Sequence, residues 1–328
     1  MLMALLKIAI SVALLWALFA NVDAGEMLRQ VARADLGLLL AALAALLALA
    51  VVQAYRWTVV LRAIGARLGL KQASLTVMIG LFFNQTLPST IGGDAVRIWR
   101  AHKLGLDLGR AVNGVMIDRL SALAALLLVA AIGLPKIHAL IGDSVAFWVI
   151  PAFIVAGLAG FAALMTFDRL PPAFMRWRVV AAIGRLSADA RRALVDRRYG
   201  PAVIGLSLFI QVAVSSSVWL IAAGLRLKVG WFDCLILVPP VMLISMVPIS
   251  IAGWGVREGA MVSAFGLVGF GATDALALSI VFGLIVSLVG VPGGVIWALT
   301  RPKRGAAATG EVAPGAGAVK PGAGRPAA

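Results

Sequence analysis

The chain reads as an all-α, polytopic integral membrane protein, with about six crossings and two re-entrant or broken helical segments in an inverted repeat. Three observations predict that class. Of 328 residues, 62% are hydrophobic and only 13% are charged, where soluble domains carry roughly 25% charged residues. Several stretches reach or approach the roughly 20 apolar residues needed to cross hydrocarbon. The basic residues, which set a formal net charge of +15, gather in alternate loops, as cytoplasmic loops do. A soluble protein of this composition would expose apolar patches that soluble monomers avoid. The single cysteine, Cys234, leaves no internal disulfide and no thiolate metal cluster. Strong positive charge can also mark a nucleic-acid binder, so the placement of the charges decides between the two readings.

The expected crossings are 3–20, 36–55, 112–134, 145–167, 201–223 and 275–299. No small-residue cleavage site follows Ala20, so the first reads as an uncleaved crossing. Two shorter stretches are interrupted: 73–91 by Asn84, Gln85, Thr86 and Pro88, and 232–251 by Pro239, Pro240, Pro248 and Ser250. A further apolar piece spans 256–271. Broken segments of this kind suit backbone buried in protein or lining a cavity. Arg56, Arg62, Arg67 and Lys71 precede 73–91, and Arg97, Arg100, Lys103 and Arg110 follow it. Both of its ends therefore belong on the cytoplasmic side, which makes the segment re-entrant.

The other loops follow the same sign rule. Loops 21–35, 135–144 and 224–231 are expected outside. The 168–200 loop, with Arg169, Arg176, Arg178, Arg185, Arg191, Arg192, Arg197 and Arg198, is expected inside, as are both termini. Most of the positive charge thus states orientation, and no nucleic-acid partner is expected. Part of the 168–200 loop can form an amphipathic helix with Phe174, Trp177, Ala181, Leu186, Ala190 and Leu194 towards the membrane. Residues 301–328, rich in Gly, Ala and Pro, are expected to be a disordered tail behind a membrane domain over 1–300.

Residues 88–97, PSTIGGDAVR, resemble 248–257, PISIAGWGVR, at an offset of 160. Each window follows a broken segment and precedes a crossing. Each half, about 1–134 and 145–299, contains three crossings. That odd number inverts the second half relative to the first, the architecture of many transporters with the site at the repeat interface.

Ionisable residues within such segments are functional candidates. Asp94 and Arg97 follow the first broken segment, Asp118 and Arg119 begin the third crossing, and Arg257 and Glu258 follow the second broken segment. Asp274 begins the last crossing. Gly92 and Gly93, and Gly253 and Gly255 around Trp254, permit turns and close approaches barred to other residues. Amides freed at such turns would form anion sites, and Arg97 and Arg257 would add bidentate phosphate ligands. The plainer reading pairs Asp94 with Arg97 on one helix and makes the remaining charges interhelical partners. His102 and His138 fall in opposite loops, and no GxxxxGK[ST] nucleotide loop is present. No cofactor, metal or catalytic residue is expected. Gly157, Gly160, Gly290, Gly293 and Gly294 read as packing positions. Trp16, Trp148, Trp219, Trp231 and Trp297 read as interfacial anchors.

FFNQTLPSTIGGDAVRIWR, DRLSALAALLL, GWGVREGAMVSAF and VGVPGG occur in that order. Together they resemble the lysylphosphatidylglycerol synthase transmembrane-region family, also called the flippase-like domain family. The likeness extends to about residue 300. It departs from the family pattern at Trp254, where a small or aliphatic residue is common. The resemblance implies a bacterial inner-membrane protein that moves a lipid between leaflets. The substrate would be an anionic phospholipid, a hopanoid or a polyprenyl-phosphate lipid. The soluble aminoacyl-transferase domain of bifunctional members has no counterpart in the residues after Thr300, so no synthase activity is implied. The alternatives are an integral-membrane enzyme acting on a lipid headgroup, drawing on Asp94, Asp118 and Glu258, and an accessory subunit of a lipid-modifying enzyme.

Overall fold

A computed structural model describes residues 2–20, 22–87, 92–143, 145–169, 171, 176–246 and 253–300. The expected disordered tail, Phe174 and both Pro88–Ile91 and Pro248–Ile251 lie outside them. Among the described residues all regular structure is helical. In chain order the α-helices are α1 Leu2–Phe19, α2 Ala24–Ala32, α3 Leu36–Ala63, α4 Leu70–Thr86, α5 Gly92–Lys103 and α6 Leu108–Ile141. They continue as α7 Val145–Thr166, α8 Arg178–Leu194, α9 Gly200–Gly224, α10 Trp231–Ser245, α11 Val256–Gly266 and α12 Ala272–Thr300.

Five helices, α3, α6, α7, α9 and α12, are long and apolar enough to cross a membrane. The first expected crossing corresponds to α1, which meets α2 at 89°; counted as one bent span, the pair brings the number of candidate crossings to six. The chain is a polytopic membrane protein. Short acids start several helices by accepting backbone N–H bonds left open in the first turn. Asp23 accepts from Glu26, Asp35 from Gly37 and Leu38, and Asp107 from Arg110.

Several boundaries differ from the sequence reading. The 21–35 loop contains α2, whose apolar positions dock on α12. Helix α3 continues to Ala63, so Arg56 lies inside a helix and not in a loop. Pro239 and Pro240 do not break α10, which runs through both of them. Helix α8 forms as expected, but its face packs on the bundle: Ala190 and Leu194 are buried beside Trp57 and Val203, while Trp177 is 75% exposed. Small side chains on that face permit the approach. Trp16 and Trp148 are exposed, whereas Trp297 is packed edge-on against Phe83 and Trp99.

The repeat is legible in the packing. At the offset separating Arg97 from Arg257, helices α3, α4, α5 and α6 fall on α9, α10, α11 and α12. The equivalent helices α3 and α9 pack against each other in opposite directions. The N–H of Asp35, at the start of α3, donates to the carbonyl of Gly224, at the end of α9 (2.8 Å), and Arg56 donates to Ser207 (3.0 Å). Equivalent elements running antiparallel are what an inverted repeat requires. The same exchange recurs elsewhere, since α4 packs on α12 and α10 packs on α6.

Helices α4 and α5 form a hairpin. Gly80 faces Gly93 and Arg97, and Asn84 bonds the Gly93 N–H (3.1 Å), so numbers rise along one helix as they fall along the other. Both outer ends of the hairpin therefore lie on one face of the protein. Cysteines introduced at Gln72 and Lys103 are expected to react with an impermeant label from the same side; labelling from opposite sides would exclude the re-entrant arrangement.

Candidate functional site

The charged residues singled out in the first half converge, with one addition. Helices α3, α5, α6 and α9 meet around two buried carboxylates. Asp118 accepts from Arg56 Nε at Oδ1 (2.9 Å) and from Arg97 Nη2 at Oδ2 (2.9 Å). Asp94 accepts from Arg119 Nε (2.7 Å) and Nη2 (3.1 Å), and lies 3.6 Å from Arg97 Nη1. The i, i+3 pair of the plainer reading is thus present but is the longest contact in the group. Asp118 and Arg119 do not pair with each other; each reaches across to another helix.

Arg56 was counted among loop charges at the sequence level, yet it is 4% exposed and bridges Asp118 to Ser207. The only signal available was its position in QAYRWTVVL, an apolar run that continues past it. Trp57, the next residue, stacks under the Arg97 guanidinium at 4.6 Å, a favourable cation–π geometry. Gly80 gives Arg97 its bed, because a Cβ there would fall 2.8 Å from Arg97 Cγ.

Three guanidinium groups meet two carboxylates, so among the described residues the network carries one uncompensated positive charge. Among the described residues Arg97 Nε is buried without a hydrogen-bond partner. Arg119 is the open end, with its side chain 41% exposed. A surplus charge among membrane-spanning helices is costly unless an anion or water meets it.

The second half holds a smaller, neutral cluster. Glu258 Oε1 accepts from Arg257 Nη2 (2.5 Å) and Nε (3.1 Å), with Ser279 at 3.3 Å. The Arg257 guanidinium lies 4.8 Å from the Trp254 ring centre and 5.8 Å from that of Phe282. Trp254, the departure from the family pattern, therefore shields an arginine. Gly283 makes room: a Cβ there would overlap the guanidinium.

The glycines act differently from the expected anion cradles. The Gly93 N–H is taken by Asn84 and the Gly255 N–H by Glu258 Oε2 (2.6 Å), so neither amide is left for a ligand. A Cβ at Gly92 would clash with Leu87, and one at Gly93 with the Gly80 carbonyl. Those two serve close packing. Gly253 (φ 81°) and Gly255 (φ 88°) occupy left-handed backbone that glycine tolerates. Asp274 accepts from Gln30 (2.9 Å) and stands apart from both clusters. Among the described residues no group of three or more His, Cys, Asp or Glu could hold a metal ion. His102 and His138 bond only locally, to the Leu106 carbonyl and Asp143.

The family model for the lysylphosphatidylglycerol synthase TM region matches residues 4–294. The chain belongs to that family. Comparison with curated proteins returns no match. The matched span includes all four chain segments that contribute to the first network and both that contribute to the second. In this member of the lysylphosphatidylglycerol synthase TM region family, each repeat half therefore carries an arginine bedded on a glycine, stacked on a tryptophan and tied to a carboxylate.

Proposed function

We propose that the protein is a lipid translocase, flippase- or scramblase-like, moving an anionic phospholipid or another phosphate-bearing lipid between leaflets. The observation that carries this reading is the surplus positive charge of the Arg56–Asp118–Arg97–Asp94–Arg119 network, which opens at Arg119. A lipid phosphate supplies the missing anion, and guanidinium groups bind phosphate bidentately. The Arg257–Glu258 cluster in the inverted half supports the reading by placing a second arginine where exchange of partners can pass the headgroup on. Arg97 and Arg257 are the phosphate ligands. Asp94, Asp118 and Glu258 hold their charge between substrate visits, and Arg119, at the open end, meets the phosphate first. Gly92, Gly93, Gly253 and Gly255 set the backbone that presents them.

On this reading the protein is not an enzyme and needs no cofactor, and its partner is the membrane lipid. It resides in a bacterial inner membrane with both termini in the cytoplasm, the side on which most of its basic residues collect. A lipid-modifying enzyme would supply the substrate where one is needed.

The test uses purified protein in liposomes, with a fluorescent phosphatidylglycerol and a membrane-impermeant quencher. Replacing both Arg97 and Arg257 by glutamine is expected to slow translocation by about tenfold or more, the value of one lost charge-assisted hydrogen bond network. Arg119→Gln, at the exposed end, is also expected to slow it; because this change unties Asp94, its rate is compared in protein that remains monodisperse. Unchanged rates in protein that remains monodisperse would refute the mechanism. Chemical turnover of the lipid would instead favour a headgroup enzyme, and transport only alongside a copurifying enzyme would favour an accessory subunit.

A further inference from the structure

A second arginine group lies away from these networks. The end of α3 and the turn after it contribute Arg62, Gly65, Ala66 and Arg67, and the turn before α9 contributes Arg198 and Tyr199. Together they line an open basin of about 510 Å³. All three arginines are exposed, and among the described residues none of their guanidinium groups makes an ion pair or hydrogen bond. The Arg198 guanidinium lies over the Tyr199 ring at 5.4 Å. Gly65 turns the chain with φ 74°, and its carbonyl is tied to Arg110 (3.1 Å), which holds the rim in place. The nearest acid in sequence, Asp196, accepts from the Arg198 N–H (2.7 Å) within its own turn.

The inverted repeat supplies a comparison. The positions equivalent to Arg62, Arg67, Arg198 and Tyr199 in the opposite half are Ala222, Leu227, Leu38 and Leu39. There the same corner is closed by apolar packing: Ala222 is fully buried, Leu39 and Leu227 pack on the core, and Gly224 abuts Leu38 and Leu39. The counterpart of Ala66 is Arg226, exposed with Lys228 two residues on, so the opposite corner keeps basic residues but has no arginine at the three basin positions. What sets the basin apart is that three exposed arginines line one open cavity, a lining suited to an anionic occupant.

We propose that this basin binds a phosphate group, presented by an anionic lipid headgroup or as free phosphate. Three arginines line one cavity at the end of α3, a helix long and apolar enough to cross a membrane, and guanidinium forks match phosphate oxygens. The site stands independently of translocation, since it shares no residue with the buried networks.

The experiment compares the wild type, the basin variant Arg62→Gln/Arg67→Gln/Arg198→Gln and a control, Arg176→Gln/Arg178→Gln/Arg185→Gln, which removes equal charge elsewhere. One arm counts phosphatidylglycerol retained by native mass spectrometry from phosphatidylcholine nanodiscs doped with it. The other titrates inorganic phosphate in pure phosphatidylcholine nanodiscs and follows protection of the arginines from phenylglyoxal. The basin variant is expected to bind about tenfold more weakly or worse, and the control to stay within about twofold of wild type. Arginine-dependent binding in the first arm identifies a lipid headgroup, and in the second arm alone, free phosphate. If neither ligand binds, or basin and control variants lose equally, the proposal fails. Should the basin variant not stay monodisperse, protection of Arg62, Arg67 and Arg198 in the wild-type protein decides the matter in the same way.

Discussion

Asp118→Asn is expected to lower the unfolding free energy by about 3–5 kcal/mol, the cost of leaving a buried charge without its partner. The carboxylate is 4% exposed and takes one bond from Arg56 and one from Arg97 on its two oxygens. Asparagine keeps the shape but offers only one acceptor oxygen, and its amide faces a guanidinium with a donor. The network then holds three positive charges against one negative. Adding Arg56→Gln to Asp118→Asn returns the surplus to its original single charge and is expected to recover a large part of the loss. A double-mutant cycle on denaturation in detergent measures this directly. If the double variant is as unstable as the sum of the singles, the two side chains are not coupled and the network is not a unit.

The sequence showed the charged residues but not their pairing. Asp94, Arg97, Asp118 and Arg119 were legible because each interrupts an apolar run, where a charge needs a reason. Arg56 was masked by its neighbours Arg62, Arg67 and Lys71, since a tally of loop charges treats all four alike. What separates them is that α3 runs on past Arg56, and helix ends are set by tertiary packing as much as by composition. The expected amide cradles failed for two different reasons. Glu258 sits three residues after Gly255, the spacing of a helix-capping carboxylate, so that contact was recoverable from sequence. Asn84 reaches the Gly93 amide only because α4 and α5 fold back on each other, which no local pattern encodes. The inverted repeat was legible from crossing parity, but α2 was not, because a short helix with alternating polar residues does not register as an apolar run. Gly157, Gly290, Gly293 and Gly294 do mediate close packing as expected, whereas Gly160 faces open space. Spacing alone does not distinguish which face of a membrane helix has a neighbour.

The same glycines provide a graded test of how the two halves are held together. Gly293→Ala would drive a Cβ into the backbone carbonyl of Met78 on α4, an atom that cannot rotate away. Helix α12 must then move off α4, the arm of the re-entrant hairpin that beds Arg97 on Gly80. A loss of about 1–3 kcal/mol is expected for such overpacking. Gly133, the equivalent of Gly293 in the first half, would place a Cβ 2.8 Å from Ile236 Cγ2 on α10. That contact is with a side chain, and a side chain can change rotamer, so Gly133→Ala is expected to cost less. Gly160→Ala meets nothing within 4 Å, and alanine's better helix propensity makes it neutral or slightly stabilising. Thermal unfolding of the three variants in one detergent should therefore rank them Gly293, Gly133, Gly160, from most to least destabilised. Equal stabilities for Gly293→Ala and Gly160→Ala would mean that α4 and α12 are not in backbone contact, and the hairpin's bed for Arg97 would lose its support. Because Gly293 touches neither charged network, any fall in translocation that accompanies its loss of stability would tie the α4–α12 seam, rather than the arginines alone, to the movement of lipid.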